Sequence, residues 1–148
     1  MSTTRVTAHL AAPRDAVYRA LTEPALIVGW RFPEGMTSAV DDAGHGTFRV
    51  TLTYEEPGQQ GKTTAHSDTY RARFARLVPG ELVVEVDEFE TDDPALRGEM
   101  TTTITLREVA GGTELTAVHD GVPEGVSPEQ NEEGWRMALA RLARLLEG

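Results

Sequence analysis

The 148-residue chain is 39% hydrophobic and 26% charged, as expected for one soluble domain that can bury one sizeable core. Its formal net charge of -10 disfavours binding to nucleic acid and to anionic membrane surfaces, because phosphates are bound through Lys and Arg. Without cysteine, a signal-peptide pattern or an apolar run that could span a membrane, the chain excludes disulfides and thiolate catalysis, and we expect a single cytoplasmic domain over residues 1–148.

The N-terminal quarter predicts one strand, two short helices and a loop. Apolar and polar residues alternate over residues 4–10, which is typical of a half-buried strand. Pro13 suits the first turn of a helix that runs to Leu21, and Pro24 restarts a second helix that ends at Trp30. Residues 31–37 contain a proline and a glycine and are predicted to form a loop, either a flap near a cavity or a plain connector.

The middle of the chain predicts consecutive antiparallel strands. The strand patterns cover residues 38–41, 47–54, 63–76, 82–89, 98–108 and 113–119. Turn-forming glycines and prolines separate several of these segments, which favours a meander. Strands that follow one another, with helices at both ends of the chain, indicate an α+β domain in which helices pack on one antiparallel sheet.

The C-terminal segment predicts a long amphipathic helix capped by Ser127. Its apolar stripe consists of Trp135, Ala138, Leu139, Leu142, Leu145 and Leu146. The matching apolar rows of the sheet are Phe48, Val50, Leu52 and Tyr54 on one strand and Leu82, Val84 and Val86 on another. A curved sheet around this helix is expected to leave a cavity between the two.

The same alternation places polar side chains on the inner face of the sheet. If Tyr70 and Phe74 point inward, His66 and Asp68 do so too. If Val86 points inward, Glu88 follows, and a loop over residues 77–81 places Glu88 opposite Tyr70. A tight turn over residues 109–112 sets Thr102 opposite His119, with Met100 on the same face.

These positions support a binding interpretation and a catalytic one. The predicted ligand-binding residues are Trp30, Phe48, Val50, Leu52, Tyr70, Phe74, Val84, Val86, Met100, Thr102, His119, Trp135, Leu139 and Leu142. The candidates for proton transfer are His66, Asp68, Tyr70, Glu88 and His119. Each has a structural alternative: the rim residues could be solvated, His119 could bond the turn that follows it, and Trp30 could simply pack in the core. No metal-binding spacing, nucleophile elbow or phosphate loop is found, and no metal or cofactor is expected.

The order of several short segments resembles a known superfamily. The segments are residues 12–22, Trp30, residues 35–37, residues 46–49, residues 77–81, residues 111–113 and the helix that contains Gly134 and Trp135. Together they resemble the SRPBCC superfamily, also called START-like or Bet v 1-like. Within it the chain is most similar to the branch named after the C-terminal domain of the Hsp90 ATPase activator Aha1.

The resemblance implies a helix-grip fold of order β-α-α-β6-α, in which a curved seven-stranded antiparallel sheet wraps round the long C-terminal helix. It also implies a cavity for a small hydrophobic or amphipathic molecule, with a cyclase- or dehydratase-like enzyme as the alternative and a chaperone-associated interaction module as a further one. An Hsp90-type chaperone is not expected as a partner, because nothing here resembles the stimulating basic motif. Edge strands or outer helices could each support a homodimer.

Overall fold

The computed structural model describes residues 2–27, 29–31, 36–44, 47–54, 67–90, 94 and 98–147. For residues 2, 24, 36–44, 51–54 and 67–68 it describes the backbone only. The sequence predictions for His66 and for most of the loop over residues 31–37 therefore lie outside the described residues. The same holds for the side chains of Leu52, Tyr54 and Asp68.

Seven strands and three helices are formed by the described residues. The strands are β1 (Ser2–Leu10), β2 (Met36–Gly44), β3 (Thr47–Tyr54), β4 (Ser67–Val78), β5 (Leu82–Phe89), β6 (Glu99–Val109) and β7 (Gly112–Val122). The helices are α1 (Arg14–Thr22), α2 (Pro24–Ile27) and α3 (Pro128–Glu147). The predicted α+β class is confirmed. The second helix is shorter than predicted, since α2 ends at Ile27 and Gly29 and Trp30 lie in a turn.

All strands pair antiparallel in one sheet of order β1-β7-β6-β5-β4-β3-β2. The first strand pairs with the last, which makes β1 an edge strand of the sheet, and α3 lies against β1. The β6–β7 hairpin has the predicted register, with Thr102 opposite His119. Gly112 is required at its turn because a Cβ there would collide with the carbonyl oxygen of Leu10 on β1.

Helix α3 begins where the sequence indicates. The Ser127 hydroxyl accepts a hydrogen bond from the backbone N–H of Gln130 at 3.3 Å, which is an N-cap contact, and Pro128 is the first helical residue. Its buried side chains are Trp135, Ala138, Leu139 and Leu142. Leu145 was predicted to share this buried stripe, and that is wrong: it is 43% exposed, because it lies at the edge of the face that meets the sheet.

The core has two parts. The larger joins α1, α3, Trp30 and strands β1, β5, β6 and β7, and it includes Val17, Ala20 and Leu21 from the predicted face of α1. The smaller consists of Ile27, Phe48, Val50 and Ala72, with Tyr70 and Phe74 packed against it. The predicted inward orientation of Tyr70, Ala72 and Phe74 on β4 is confirmed by these contacts.

The inward row predicted for β5 is wrong. Its core-facing side chains are Val83, Glu85 and Asp87 instead of Leu82, Val84 and Val86. The turn between β4 and β5 is shorter than the predicted loop over residues 77–81, because Val78 already pairs with Leu82. A register shift between Phe74 and Arg76 of β4 then moves the pairing by one residue, so that Tyr70 lies opposite Phe89 and not, as predicted, opposite Glu88. Phe74 then lies opposite Glu85, which turns both acidic residues toward the interior.

Candidate functional site

A pocket of about 300 Å³ lies between the sheet and the first half of α3. Its apolar walls come from the ends of β5 and β6, the connection into α3 and the helix itself, and they include Phe89, Met100, Pro123, Val126, Trp135 and Ala138. Polar lining is provided by Arg31, Gln130, Asn131 and Arg141. An apolar cleft with a few polar groups is the usual form of a small-molecule site.

Arg31 of the pocket lining belongs to a buried ion pair. Arg31 donates from Nη2 to Oε2 of Glu85 at 2.6 Å, and its Nη2 lies 3.8 Å from Oδ2 of Asp87. The Arg31 side chain is only 8% exposed and the Glu85 side chain 2%. Burying these charges is costly, so their close contact is what makes the arrangement tolerable.

Two tryptophans cover the Arg31 guanidinium. Its carbon lies 4.5 Å from the ring centroid of Trp135 and 5.6 Å from that of Trp30, which is within the range of a cation–π contact. The two indoles meet edge to face at 6.3 Å, and the Trp30 Nε1–H donates to the backbone carbonyl of Ala20 at 2.9 Å. Trp30 is thus a core residue with its polar atom satisfied, whereas Trp135 reaches the pocket.

A row of buried polar side chains crosses four strands beneath Trp135. Glu85 lies opposite Thr102, Thr102 opposite His119, and His119 pairs with Thr4 of β1. Thr4 Oγ1 and His119 Nδ1 are 2.8 Å apart, and the Asn131 amide of α3 donates to Thr4 Oγ1 at 2.8 Å. The His119 ring centroid lies 4.6 Å from that of Trp135. This polar row, Glu85-Thr102-His119-Thr4, therefore links the sheet floor to the helix.

Burial and the ion pair set the protonation of the site. Burial raises the pKa of Glu85, but the charge and hydrogen bond of Arg31 outweigh it, so this pKa lies below its ordinary value. Burial and the neighbouring Glu85 charge raise the pKa of Asp87 well above its ordinary value. Burial and the Arg31 charge lower the pKa of His119 to about 4. At neutral pH the site consequently holds ionised Arg31 and Glu85 and a neutral imidazole, and Asp87 keeps its proton to a higher pH than an ordinary aspartate.

Several predicted site residues meet at or below this pocket. Trp135 and Met100 line it, while Thr102 and His119 lie in the polar row beneath it. Tyr70 packs against Phe89, which lines the pocket, at a centroid distance of 6.3 Å, and burial raises the pKa of its phenol. The other described apolar candidates lie in the core and do not line this pocket: Trp30, Phe48, Val50, Phe74, Leu139 and Leu142.

Three candidates were placed on the wrong face of the sheet. Glu88 points outward and forms an exposed ion pair with Arg71 at 2.8 Å, so it does not belong to the interior. Val86 lines a groove on the outer face together with Arg71 and Arg73. Val84 is half-buried in the same outward row. The cause is the register shift in β4 described above.

Sequence reasoning missed Arg31, Glu85 and Asp87. Arg31 was assigned to a connector or flap, although it directly follows a buried tryptophan. The acidic residues at alternate positions of an otherwise valine-rich strand were a signal, because two carboxylates on one strand face either lie in solvent or have a buried partner. The partner is 54 residues away in sequence, and short-range patterns cannot pair them.

Metal and membrane features are absent from the described part of the chain. It contains no group of three or more His, Asp or Glu side chains placed to hold a metal ion. Within the described ranges, none of the helices is both long and apolar enough to cross a bilayer.

An antiparallel sheet with a C-terminal helix packed on one face, enclosing a pocket with a polar floor, defines a class of α+β proteins. The family model for Activator of Hsp90 ATPase homolog 1-like proteins matches residues 11–147, and the chain belongs to this family. This agrees with the resemblance seen in the sequence. No functionally curated protein matches the chain.

Solved structures share the fold over almost the whole chain. A Chromobacterium violaceum protein is 35% identical, with a TM-score of 0.84, and the match covers 99% of this chain and 97% of that one. The AHSA1 protein of Silicibacter pomeroyi is 19% identical with a TM-score of 0.77, covering 99% and 98%. DynU16, from the dynemicin biosynthetic locus, is 24% identical with a TM-score of 0.68, and this chain spans 48% of its length. The last two likenesses concern the fold alone.

Proposed function

We propose that the protein is a helix-grip protein that binds a small, largely apolar molecule in the pocket between its sheet and α3. The proposal rests on the composition of the pocket wall. Phe89 and Met100 from the sheet face Trp135 and Ala138 from the helix across about 300 Å³. That volume suits a molecule of one or two fused rings or a short acyl chain.

The polar groups of the pocket favour an amphipathic ligand over a hydrocarbon. Gln130 and Asn131 lie at the start of α3, and Asn131 connects through Thr4 to His119. Arg31 is already paired with Glu85, and Nε of Arg141 donates to the backbone carbonyl of Trp30 at 3.0 Å, so both cations of the lining are engaged by the protein itself and the pocket offers mainly hydrogen bonds. A neutral ligand with one polar group matches this lining.

Gly134 allows a direct test, because it lines the pocket and a Cβ built there meets no atom within 4 Å. Gly134→Leu should therefore fill the pocket without disturbing the fold, and Gly134→Ala is its matched control. Isothermal titration with 2-naphthol is expected to show binding to the wild type and to the Gly134→Ala variant, and strongly reduced binding to the Gly134→Leu variant. Equal binding to all three would place the ligand elsewhere, and no binding to any would refute the proposal.

One observation favours a second candidate, acid–base chemistry on the bound molecule. The raised pKa of Asp87 means that it keeps a proton to a higher pH than an ordinary aspartate, and His119 is a neutral base because its pKa is lowered to about 4. Carboxyl and imidazole groups with displaced pKa values beside one pocket are the usual elements of proton transfer. The family resemblance to cyclases and the biosynthetic locus of DynU16 agree with this candidate.

Hydrogen–deuterium exchange at the α-carbon of 1-tetralone, followed by NMR, tests this candidate. A proton-transferring site should accelerate the exchange in the wild type and lose the acceleration in the Asp87→Asn and His119→Phe variants. Bound ketone without acceleration would leave binding as the function.

A further inference from the structure

Three polar atoms of the inner face have no hydrogen-bond partner. Among the described residues these are Oδ1 of Asp87, Oγ1 of Thr102 and Nε2 of His119, each fully buried from solvent. A buried polar atom without a partner costs free energy comparable to a lost hydrogen bond. Three such atoms in one region indicate a place that a polar group from outside the chain completes.

The sheet register brings two of the three side chains together. Thr102 lies directly opposite His119, and such residues of antiparallel strands have Cβ atoms about 5 Å apart. Asp87 lies on β5 opposite Met100, and β6 separates it from His119. One small group can therefore lie within reach of Thr102 and His119.

The contacts of Thr4 indicate which ring nitrogen of His119 carries the proton. Thr4 Oγ1 accepts from the Asn131 amide, so its own proton needs an acceptor, and His119 Nδ1 lies 2.8 Å away. With Nδ1 accepting from Thr4, the proton of the neutral imidazole is on Nε2. The unpartnered His119 atom is accordingly an N–H donor.

The Thr102 hydroxyl lies beside this donor and has no partner of its own. It can donate or accept a hydrogen bond.

An N–H donor beside a hydroxyl matches a neutral hydroxyl group of a ligand. We propose, resting on the proposed function, that Thr102 and His119 form a subsite that takes the hydroxyl of a bound alcohol or phenol. The ligand hydroxyl accepts from His119 Nε2–H and donates to Thr102 Oγ1. A ligand carboxylate is disfavoured, because it would add a negative charge beside Glu85 while the Arg31 cation is already paired at 2.6 Å.

The subsite lies one side-chain layer below the pocket. Trp135 lines the pocket and also packs on the His119 ring, at a centroid distance of 4.6 Å. Entry of a ligand hydroxyl therefore requires a shift of the Trp135 indole, while the rest of the ligand stays against Met100 and Phe89.

Matched ligands and matched variants test this subsite by isothermal titration at pH 7. The ligands are naphthalene, 2-naphthol and 2-naphthoate. One variant is Thr102→Val, which removes a buried hydroxyl with little change of shape, and its control is Thr103→Val, a half-buried neighbour on the opposite face of β6. The wild type is expected to bind 2-naphthol about tenfold more tightly than naphthalene, as one or two net hydrogen bonds provide. It should bind 2-naphthoate more weakly than 2-naphthol.

The Thr102→Val variant should lose roughly three- to tenfold of its 2-naphthol affinity and keep its naphthalene affinity. Thr103→Val should change neither. Equal wild-type affinity for naphthalene and 2-naphthol would overturn the subsite and assign its atoms to a buried water. A preference for 2-naphthol over naphthalene that remains in the Thr102→Val variant would overturn it as well. These outcomes leave the pocket itself intact, whereas a lack of binding by all three ligands would refute the pocket as well.

Discussion

Replacing Arg31 with leucine is expected to destabilise the protein far more than removing an arginine from its surface. Glu85 and Asp87 would stay buried without their cation, and the cation–π contacts with Trp30 and Trp135 would also be lost. Breaking one side of a buried ion pair typically costs about 3–5 kcal/mol. For a chain of this length each kcal/mol lowers Tm by about 2–4 °C, which predicts a decrease of about 6–20 °C.

Urea unfolding monitored by circular dichroism is the assay, and Arg71→Leu is the matched control. Arg71 also pairs with a glutamate at 2.8 Å, but its side chain is 64% exposed, so its loss should cost less than about 1 kcal/mol. The double variant Arg31→Leu, Glu85→Leu should recover much of the stability, because an apolar pair of similar size avoids the buried charge.

The penalty for Arg31→Leu should also depend on pH. In the wild type the lowered pKa of Glu85 contributes stability above the usual glutamate range, and this contribution is lost as the pH falls through the folded-state pKa. Without Arg31, burial raises the pKa of Glu85, so the variant gains stability as the pH falls. The difference between the two proteins should therefore shrink from pH 8 to pH 5. A loss below about 1 kcal/mol at pH 7.5, or one that is constant with pH, would refute the role given to Arg31.

Three further substitutions and one titration test single features of the structure. The Asp87→Asn variant should have the same free energy of unfolding as the wild type at acidic pH and a higher one at pH 8. The reason is that the raised pKa of Asp87 makes the wild type lose stability as the pH rises. Coincident urea unfolding curves of the two proteins at pH 8 would contradict this. NMR titration of His119 should give a pKa of about 4, and a value near 6.5 would contradict its burial beside Arg31. Gly134→Ala should raise stability by about 1 kcal/mol, since the new methyl group meets no atom within 4 Å; a decrease in Tm would show an unseen clash. Ser127→Ala should cost about 1 kcal/mol by removing the N-cap of α3, and an unchanged midpoint of unfolding would exclude that cap.

The fold was predictable from sequence where local chemistry determines it. Ser127 and Pro128 mark the start of α3, and the tight turn after Val109 sets the register that places Thr102 opposite His119. Both features depend on residues close together in sequence. The predicted α+β class, with its C-terminal helix on an antiparallel sheet, follows from the same short-range patterns.

The site was predictable only in part. The bulge in β4 leaves only a small mark in the sequence, an arginine at position 76 where alternation from Tyr70 and Phe74 predicts an inward side chain, yet it decides which face of β5 is buried. Alternation favoured Val84 and Val86 for the interior, and the chain buries Glu85 and Asp87 instead. This costs more desolvation than burying valine, and it is offset by Arg31, a partner 54 residues away from Glu85 that no local pattern connects to β5.

A crystal structure of the protein grown with 2-naphthol would show directly whether the pocket between the sheet and α3 binds a small molecule. We expect the ligand rings to lie between the sheet and α3, in contact with Met100 and Trp135 in the pocket of about 300 Å³. A ligand bound only on the outer face of the sheet, or a pocket closed by its own side chains at saturating ligand, would contradict it.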